Sequence, residues 1–164
     1  MNVAVKRKSW ATVKINEEFI DITACAGYRA CYLDPEAWSV QLAPDEDDNK
    51  LGKTVVEALN ASRFLEPREA FTMQAASPQQ YELWVNGLVE RFGYRSRRSM
   101  FKRMKSCSVT RSDGVILFKP LRHHKLESWS GDGIPEENHV EIPADLSPTE
   151  IGAALRIALG LCTE

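Results

Sequence analysis

A chain of 164 residues with 43% hydrophobic and 27% charged side chains has the size of one domain and enough apolar material to bury a core without metal or disulfide staples. Its formal charge of −2 and pI near 6.0 argue against a dedicated nucleic-acid domain, which is basic as a whole. No apolar run approaches the roughly 18 residues that crossing a bilayer demands, so no membrane role is expected.

At the N-terminus, MNVAVKRKSW carries basic residues but no apolar stretch behind them and no cleavage-site pattern. That argues against export and for a cytoplasmic protein. Trp10 to Ile15 and Phe19 to Ala24 are rich in β-branched and aromatic residues, and the polar step Asn16-Glu17-Glu18 between them predicts a hairpin. Trp38, Val40 and Leu42 alternate with Ser39 and Gln41, the period of a strand with one face buried. The carboxylates from Asp45 to Asp48 then suit a helix N-terminus. Leu51, Val55, Ala58 and Leu59 form a stripe, which predicts a helix over 47–62. Pro67 bars its continuation, and the apolar patch from Ala70 to Met73 reads as a short strand.

Two helices carry matching start signals. Ser77-Pro78-Gln79-Gln80 and Ser147-Pro148-Thr149-Glu150 each offer a capping serine, a first-turn proline and a Gln or Glu at the third helical position. The first is expected to run through Tyr81, Trp84, Val85, Leu88 and Val89 to a C-cap at Gly93. The second carries Ile151, Ala154, Leu155 and Ala158 on one side, and its small residues Gly152, Ala153 and Ala154 predict close packing against a sheet. Between them, Cys107–Arg111 and Val115–Lys119 flank Ser112-Asp113-Gly114, an Asp-Gly hairpin signal. Val115 to Phe118 is apolar on both faces and predicts a central strand, and Val140 with Ile142 predicts one more. The sum is α+β: a mainly antiparallel sheet with about three principal helices packed against it, on one face, in a single domain spanning 1–164.

Candidate chemistry is sparse. Cys25, Cys31, Cys107 and Cys162 match neither a metal knuckle nor a Cys-x-x-Cys and read as buried small hydrophobes. His123-His124 reads as a strand end or loop, with no ligand spacing beside it, so no metal and no cofactor are expected. No nucleophilic triad or phosphate-binding glycine loop is present, so no catalytic residue is assigned and no enzyme is expected. RSRRSMFKRMK, Arg95 to Lys105, holds six cations around Met100, Phe101 and Met104. It reads as an amphipathic helix with solvated charges, the alternative being a small nucleic-acid-binding protein that contacts phosphates there. Two polar stretches qualify as recognition surfaces. One is the acidic cluster of Asp45, Asp47 and Asp48. The other is the loop with Trp129, Asp132, Glu136 and Glu137, read either as an aromatic anchor rimmed by charge or as a surface loop with Trp129 tucked against the core.

The stretch KLESWSGDGIPEENHVEIPADLSPTEIGAALRIALGLC, from Lys125 to Cys162, resembles the C-terminal block of bacterial contact-dependent growth inhibition immunity proteins. The matching features are the LESWSGDG loop, the step Glu136-Glu137, HVEIPAD and SPTEIGAALRIAL. FGYRSRRSMFKRMKSCSV and KRKSWATV extend the likeness more loosely upstream. The resemblance implies a cytoplasmic antidote without catalytic residues. Its partner would be the toxin domain, commonly a nuclease, of a large secreted adhesin-type protein, silenced by occlusion in a one-to-one complex.

Overall fold

The computed structural model describes residues 6–34 and 38–164; Met1–Val5, part of the N-terminal stretch read above against export, lie outside them. β1 (Ser9–Ile15) and β2 (Ile20–Gly27) form the expected hairpin, with Val13 opposite Ile22 and Lys14 opposite Asp21. Asn16 fixes its turn. The Asn16 Oδ1 accepts from the backbone amides of Glu18 and Phe19 at 2.9 and 3.1 Å, and its amide nitrogen donates to Tyr94 Oη at 2.9 Å. β3 (Cys31–Leu33) and β4 (Ser39–Leu42) follow one another along the free side of β2. Each β4 residue is half-buried, because this strand is an edge.

Helix α1 (Asp48–Ala61) starts where the carboxylates predict, with Asp47 as N-cap accepting from Lys50 N at 2.8 Å. After β5 (Arg63–Phe64), which pairs parallel with β2, the chain enters α2 (Pro67–Arg91), a helix of 25 residues. Two expectations fail here. Ala70 to Met73 is helical rather than a strand, and Ser77-Pro78 lies inside α2 rather than at its start. Pro67 occupies the first helical turn, where a missing N–H has no cost, so it opens a helix as well as ending one. Pro78 instead leaves the Gln74 carbonyl without its helical donor, a loss of the kind that surrounding packing must offset. The C-terminus of α2 is as expected. Gly93 has φ +67, its amide donates to Glu90 O and that of Tyr94 to Val89 O, which is a Schellman closure.

The basic segment contributes the short α3 (Arg97–Phe101), capped by Ser96 and Ser99. β6 (Lys105–Ser112) and β7 (Val115–Pro120) meet through Asp113 and Gly114, at φ 53 and 73, the paired positive angles of a tight hairpin turn. β8 (Arg122–Lys125) and β9 (Ser128–Ser130) form a separate two-stranded ribbon. A single 3-10 turn, Glu136–Asn138, precedes the edge strand β10 (Val140–Pro143). Helix α4 (Pro148–Gly160) closes the fold. Its small residue Gly152 lies against the backbone of α1 rather than against the sheet, because only a residue without a Cβ lets the two helices approach this closely. Ser147 and Glu150 form the expected reciprocal box, with Ser147 N donating to Glu150 Oε2 at 2.9 Å and Glu150 N to Ser147 Oγ at 3.3 Å.

Strand order is β10-β7-β6-β1-β2-β3, antiparallel except at β5. Residues two apart on a strand share a face. Val13, Ile22, Val109 and Phe118 therefore project together, under Leu51 and Val55 of α1 and Leu155 of α4, as the main core. The opposite face carries Thr12, Lys14, Asp21 and Thr23, and α2 lies over part of it. The helices thus cover both faces rather than one. On this second face α2 forms a partial lid through its half-buried Tyr81 and Trp84. A second cluster, built on Phe19, Val85, Leu88, Met100, Phe101 and Met104, joins α2 to α3 and the ribbon.

Candidate functional site

The acidic cluster sits on the turn between β4 and α1. Asp45 and Asp47 are exposed and Asp48 is half-buried. Arg156 of α4 grips this turn from below, donating to Pro44 O at 2.7 Å and Glu46 O at 2.5 Å, with its Nε 3.9 Å from Asp48 Oδ1. The carboxylates are therefore presented on a fixed backbone instead of a loose loop.

The second stretch divides. Asp132, Glu136 and Glu137 are exposed, on and beside the 3-10 turn. Trp129 is folded inward: its Nε1 donates to Met104 O at 3.0 Å, and its ring stacks on His123 at 5.0 Å. Lys14 Nζ lies 4.6 Å from the same ring's centroid. The two acidic groups do not merge into one patch. One follows β4 and the other precedes β10, strands at opposite edges of the sheet with four strands between them, roughly 24 Å apart at the usual inter-strand spacing.

The basic segment resolves as the amphipathic reading expects. Met100, Phe101 and Met104 are fully buried, while Arg95, Arg98, Lys102, Arg103 and Lys105 face solvent. Arg97 is different. It reaches Glu127 Oε1 and Oε2 at 2.5 and 3.3 Å and Glu82 Oε2 at 2.5 Å. The hydrogen bond from Arg97 holds the Glu127 carboxyl below its usual value, and Tyr81 Oη adds a donor at 2.9 Å. A carboxyl depressed in the fold stabilises above its unfolded pKa and loses that contribution as pH falls through the folded one. Glu127→Gln is accordingly expected to lose about 1 kcal/mol near neutrality. The gap to the parent should close as urea melts are taken below about pH 4.

A cleft that the sequence did not announce opens on the polar face of the sheet. It has a volume of about 450 Å³, with Lys14, Asp21, Cys25 and Cys31 on the sheet side and Tyr81 and Trp84 on α2. Asp21 is buried, and its carboxylate accepts from Gln41 Nε2 at 2.7 Å, Thr23 Oγ1 at 2.8 Å and Ser39 Oγ at 3.1 Å. Burial raises the Asp21 carboxyl and lowers the Lys14 ammonium, each opposed by the other's charge. Asp21 was legible in principle: it is a lone carboxylate in an apolar strand, and the hairpin register places Lys14 opposite it. The contribution of α2 carried no such signal.

His123 Nε2 lies 2.8 Å from Leu126 O, and His124 Nδ1 lies 3.2 Å from Arg122. Among the described residues no group of three or more His, Cys, Asp or Glu is placed to hold a metal ion, and no helix is long and apolar enough to cross a membrane.

Residues 9–162 match the family model described as CdiI, CDI immunity protein. The chain is 38% identical to immunity protein CdiI-YPIII of Yersinia pseudotuberculosis serotype O:3, over 99% of both proteins. It superposes with a TM-score of 0.88 and 35% identity on a chain of the CdiA-CT/CdiI toxin and immunity complex from Yersinia pseudotuberculosis, covering 96% of this chain and 98% of that one. A Neisseria meningitidis protein of unknown function is similar at 34% identity and TM-score 0.87, over 99% of each chain. With sequence and fold matched from end to end, the chain belongs to the CDI immunity protein family.

Proposed function

We propose that this protein binds the toxin domain encoded with it and silences it, one to one, in the cytoplasm, and that the toxin is a nuclease. The observation that carries the reading is the full-length likeness to a chain of a toxin and immunity complex, together with the match to the immunity protein family. Inhibition is by occlusion: the antidote covers the toxin's active site or a surface the toxin needs, and no residue of the antidote acts chemically on the toxin.

A nuclease that grips phosphates presents cations, and a carboxylate surface complements it. Asp45, Asp47 and Asp48 supply one such surface, stiffened by Arg156, and Asp132, Glu136 and Glu137 a second at the far sheet edge. Charges of this kind act mainly on the rate of encounter, within a Debye length of about 8–10 Å. Trp129, held by Met104 O, contributes by shaping the β9 surface.

Titrating the purified toxin domain with this protein is expected to abolish nuclease activity at one equivalent. Absence of binding, or inhibition only at large excess, sinks the proposal. The contact surface has its own test. Replacing Asp45, Asp47 and Asp48 together with serine keeps a competent N-cap at position 47. It should slow association by about tenfold at low salt, with the difference vanishing as salt screens the charges. An association rate unchanged at every salt concentration removes this patch and leaves the inhibition itself standing.

A further inference from the structure

Two thiols face the cleft beneath α2. The ladder between β2 and β3 pairs Gly27 with Cys31 and Cys25 with Leu33, so the cysteines are diagonal neighbours whose side chains leave the sheet on the same face. They are neighbours close enough for the Cys31 thiol to bias the titration of Cys25. Thr12 Oγ1 lies 3.4 Å from the same sulfur, and Lys14, two residues along β1, brings a cation to the same face. Both cysteines are free and both line the cleft wall, Cys25 buried and Cys31 half-buried.

The remaining thiols are an internal contrast. Cys107 is sealed in the main core, and Cys162 packs against that core with its thiol donating to Ser106 O at 3.3 Å. Neither lines the cleft. Burial pushes both upward, away from the thiolate. Cys25 is drawn down instead, chiefly by the neighbouring Cys31 thiol and against its own burial, with Thr12 and Lys14 adding to the effect, while Cys31 is pushed up. A place on the cleft wall, a lowered thiol pKa and an adjacent second thiol together separate Cys25 from Cys107 and Cys162.

We infer that Cys25 is a peroxide-reactive cysteine and Cys31 its resolving thiol, the pair closing to a disulfide between β2 and β3 at the floor of the cleft. In the first step the Cys25 sulfur attacks one oxygen of hydrogen peroxide. The O–O bond breaks, the leaving hydroxide takes a proton and departs as water, and Cys25 is left as a sulfenic acid. In the second step Cys31 Sγ attacks the Cys25 sulfur. The S–O bond breaks, and the hydroxyl leaves with the Cys31 proton as a second water. Two thiols lose two electrons in all, and one peroxide is reduced to two waters. Diagonal neighbours in such a ladder have Cα atoms about 7–8 Å apart, against roughly 4.4–6.8 Å in a disulfide. Closure therefore asks for a small shift of β3, a strand of three residues bound to β2 on one side.

The test uses the reduced full-length protein, a modest excess of hydrogen peroxide and peptide mapping under non-reducing conditions. A Cys25–Cys31 cross-linked peptide is expected, with Cys25 consumed at least about tenfold faster than Cys107. Cys31→Ser should halt the reaction at a sulfenic acid that a dione reagent traps on Cys25. Cys25→Ser should slow peroxide consumption by about tenfold. The wild-type map needs no variant and stands even if a substitution fails to fold. The inference is overturned if no Cys25–Cys31 peptide forms, or if Cys107 and Cys162 are oxidised as fast as Cys25.

Discussion

Asp21→Ala is expected to destabilise the fold by about 3–5 kcal/mol, because it removes one partner of a buried charged network and leaves the rest in place. Gln41 Nε2, Thr23 Oγ1 and Ser39 Oγ would lose their common acceptor, and Lys14 the charge opposite it. For a chain of this length, that stability loss lowers Tm by roughly 6–20 °C. Asp21→Asn should lose less, since it keeps the shape and an acceptor oxygen. Adding Lys14→Met to Asp21→Asn should recover at least about 1 kcal/mol, a non-additivity that marks the pair as coupled. If the double variant is no more stable than Asp21→Asn alone, Lys14 and Asp21 act independently. The pH dependence has a definite sign. Burial raises the Asp21 carboxyl, so its contribution is fully present below the unfolded pKa near 4 and is lost as pH rises through the folded value. The stability gap between the parent and Asp21→Asn should thus be wider near pH 4 than at pH 7 in urea melts.

Gly152→Ala is the second large effect. At the contact of α1 with α4, a Cβ on Gly152 would stand 1.9 Å from Asp48 O, and one on Gly52 would stand 1.7 Å from Pro148 O. Both obstacles are backbone, so relief requires the helices to move apart over the main core. Overpacking of this kind costs about 1–3 kcal/mol or more. The better helix propensity of alanine offsets up to about 1 kcal/mol of that. A net loss of about 2 kcal/mol, or a Tm lower by roughly 4–8 °C, is expected by calorimetry. Gly87 in α2 is the control. It is exposed and has nothing within 4 Å of its would-be Cβ, so Gly87→Ala should be stabilising by about 0.5–1 kcal/mol. Equal effects at the two sites would show that the close approach of α1 and α4 is not what holds Gly152.

Asp113-Gly114 forces its own turn through two positive φ angles, and Ser147 with Glu150 caps α4 using atoms three residues apart. Both are local events, so local residues report them. Ser77-Pro78-Gln79-Gln80 has the same signature as Ser147-Pro148-Thr149-Glu150, yet it lies mid-helix. A cap motif acts only where the chain has not already become helical, and α2 begins ten residues earlier at Pro67. The packing of α2 on the sheet and on α3 sustains the helix past a proline.

The sequence by itself determined the β1–β2 and β6–β7 hairpins, α1 and α4, the inward face of α3 and, through its C-terminal block, the family, but not the β8–β9 ribbon, which it read as loop. Each follows from residues within a turn or two of one another, or from pattern along one element. Only the tertiary structure decided that Trp129 turns inward to Met104 and that the acidic groups stand at opposite sheet edges. It also decided that Lys14, Asp21, Cys25 and Cys31 share a cleft with Tyr81 and Trp84. That cleft joins β1 and β2 to a helix some fifty residues farther along the chain. Its existence depends on which face of the sheet α2 covers, and long-range packing settles that choice.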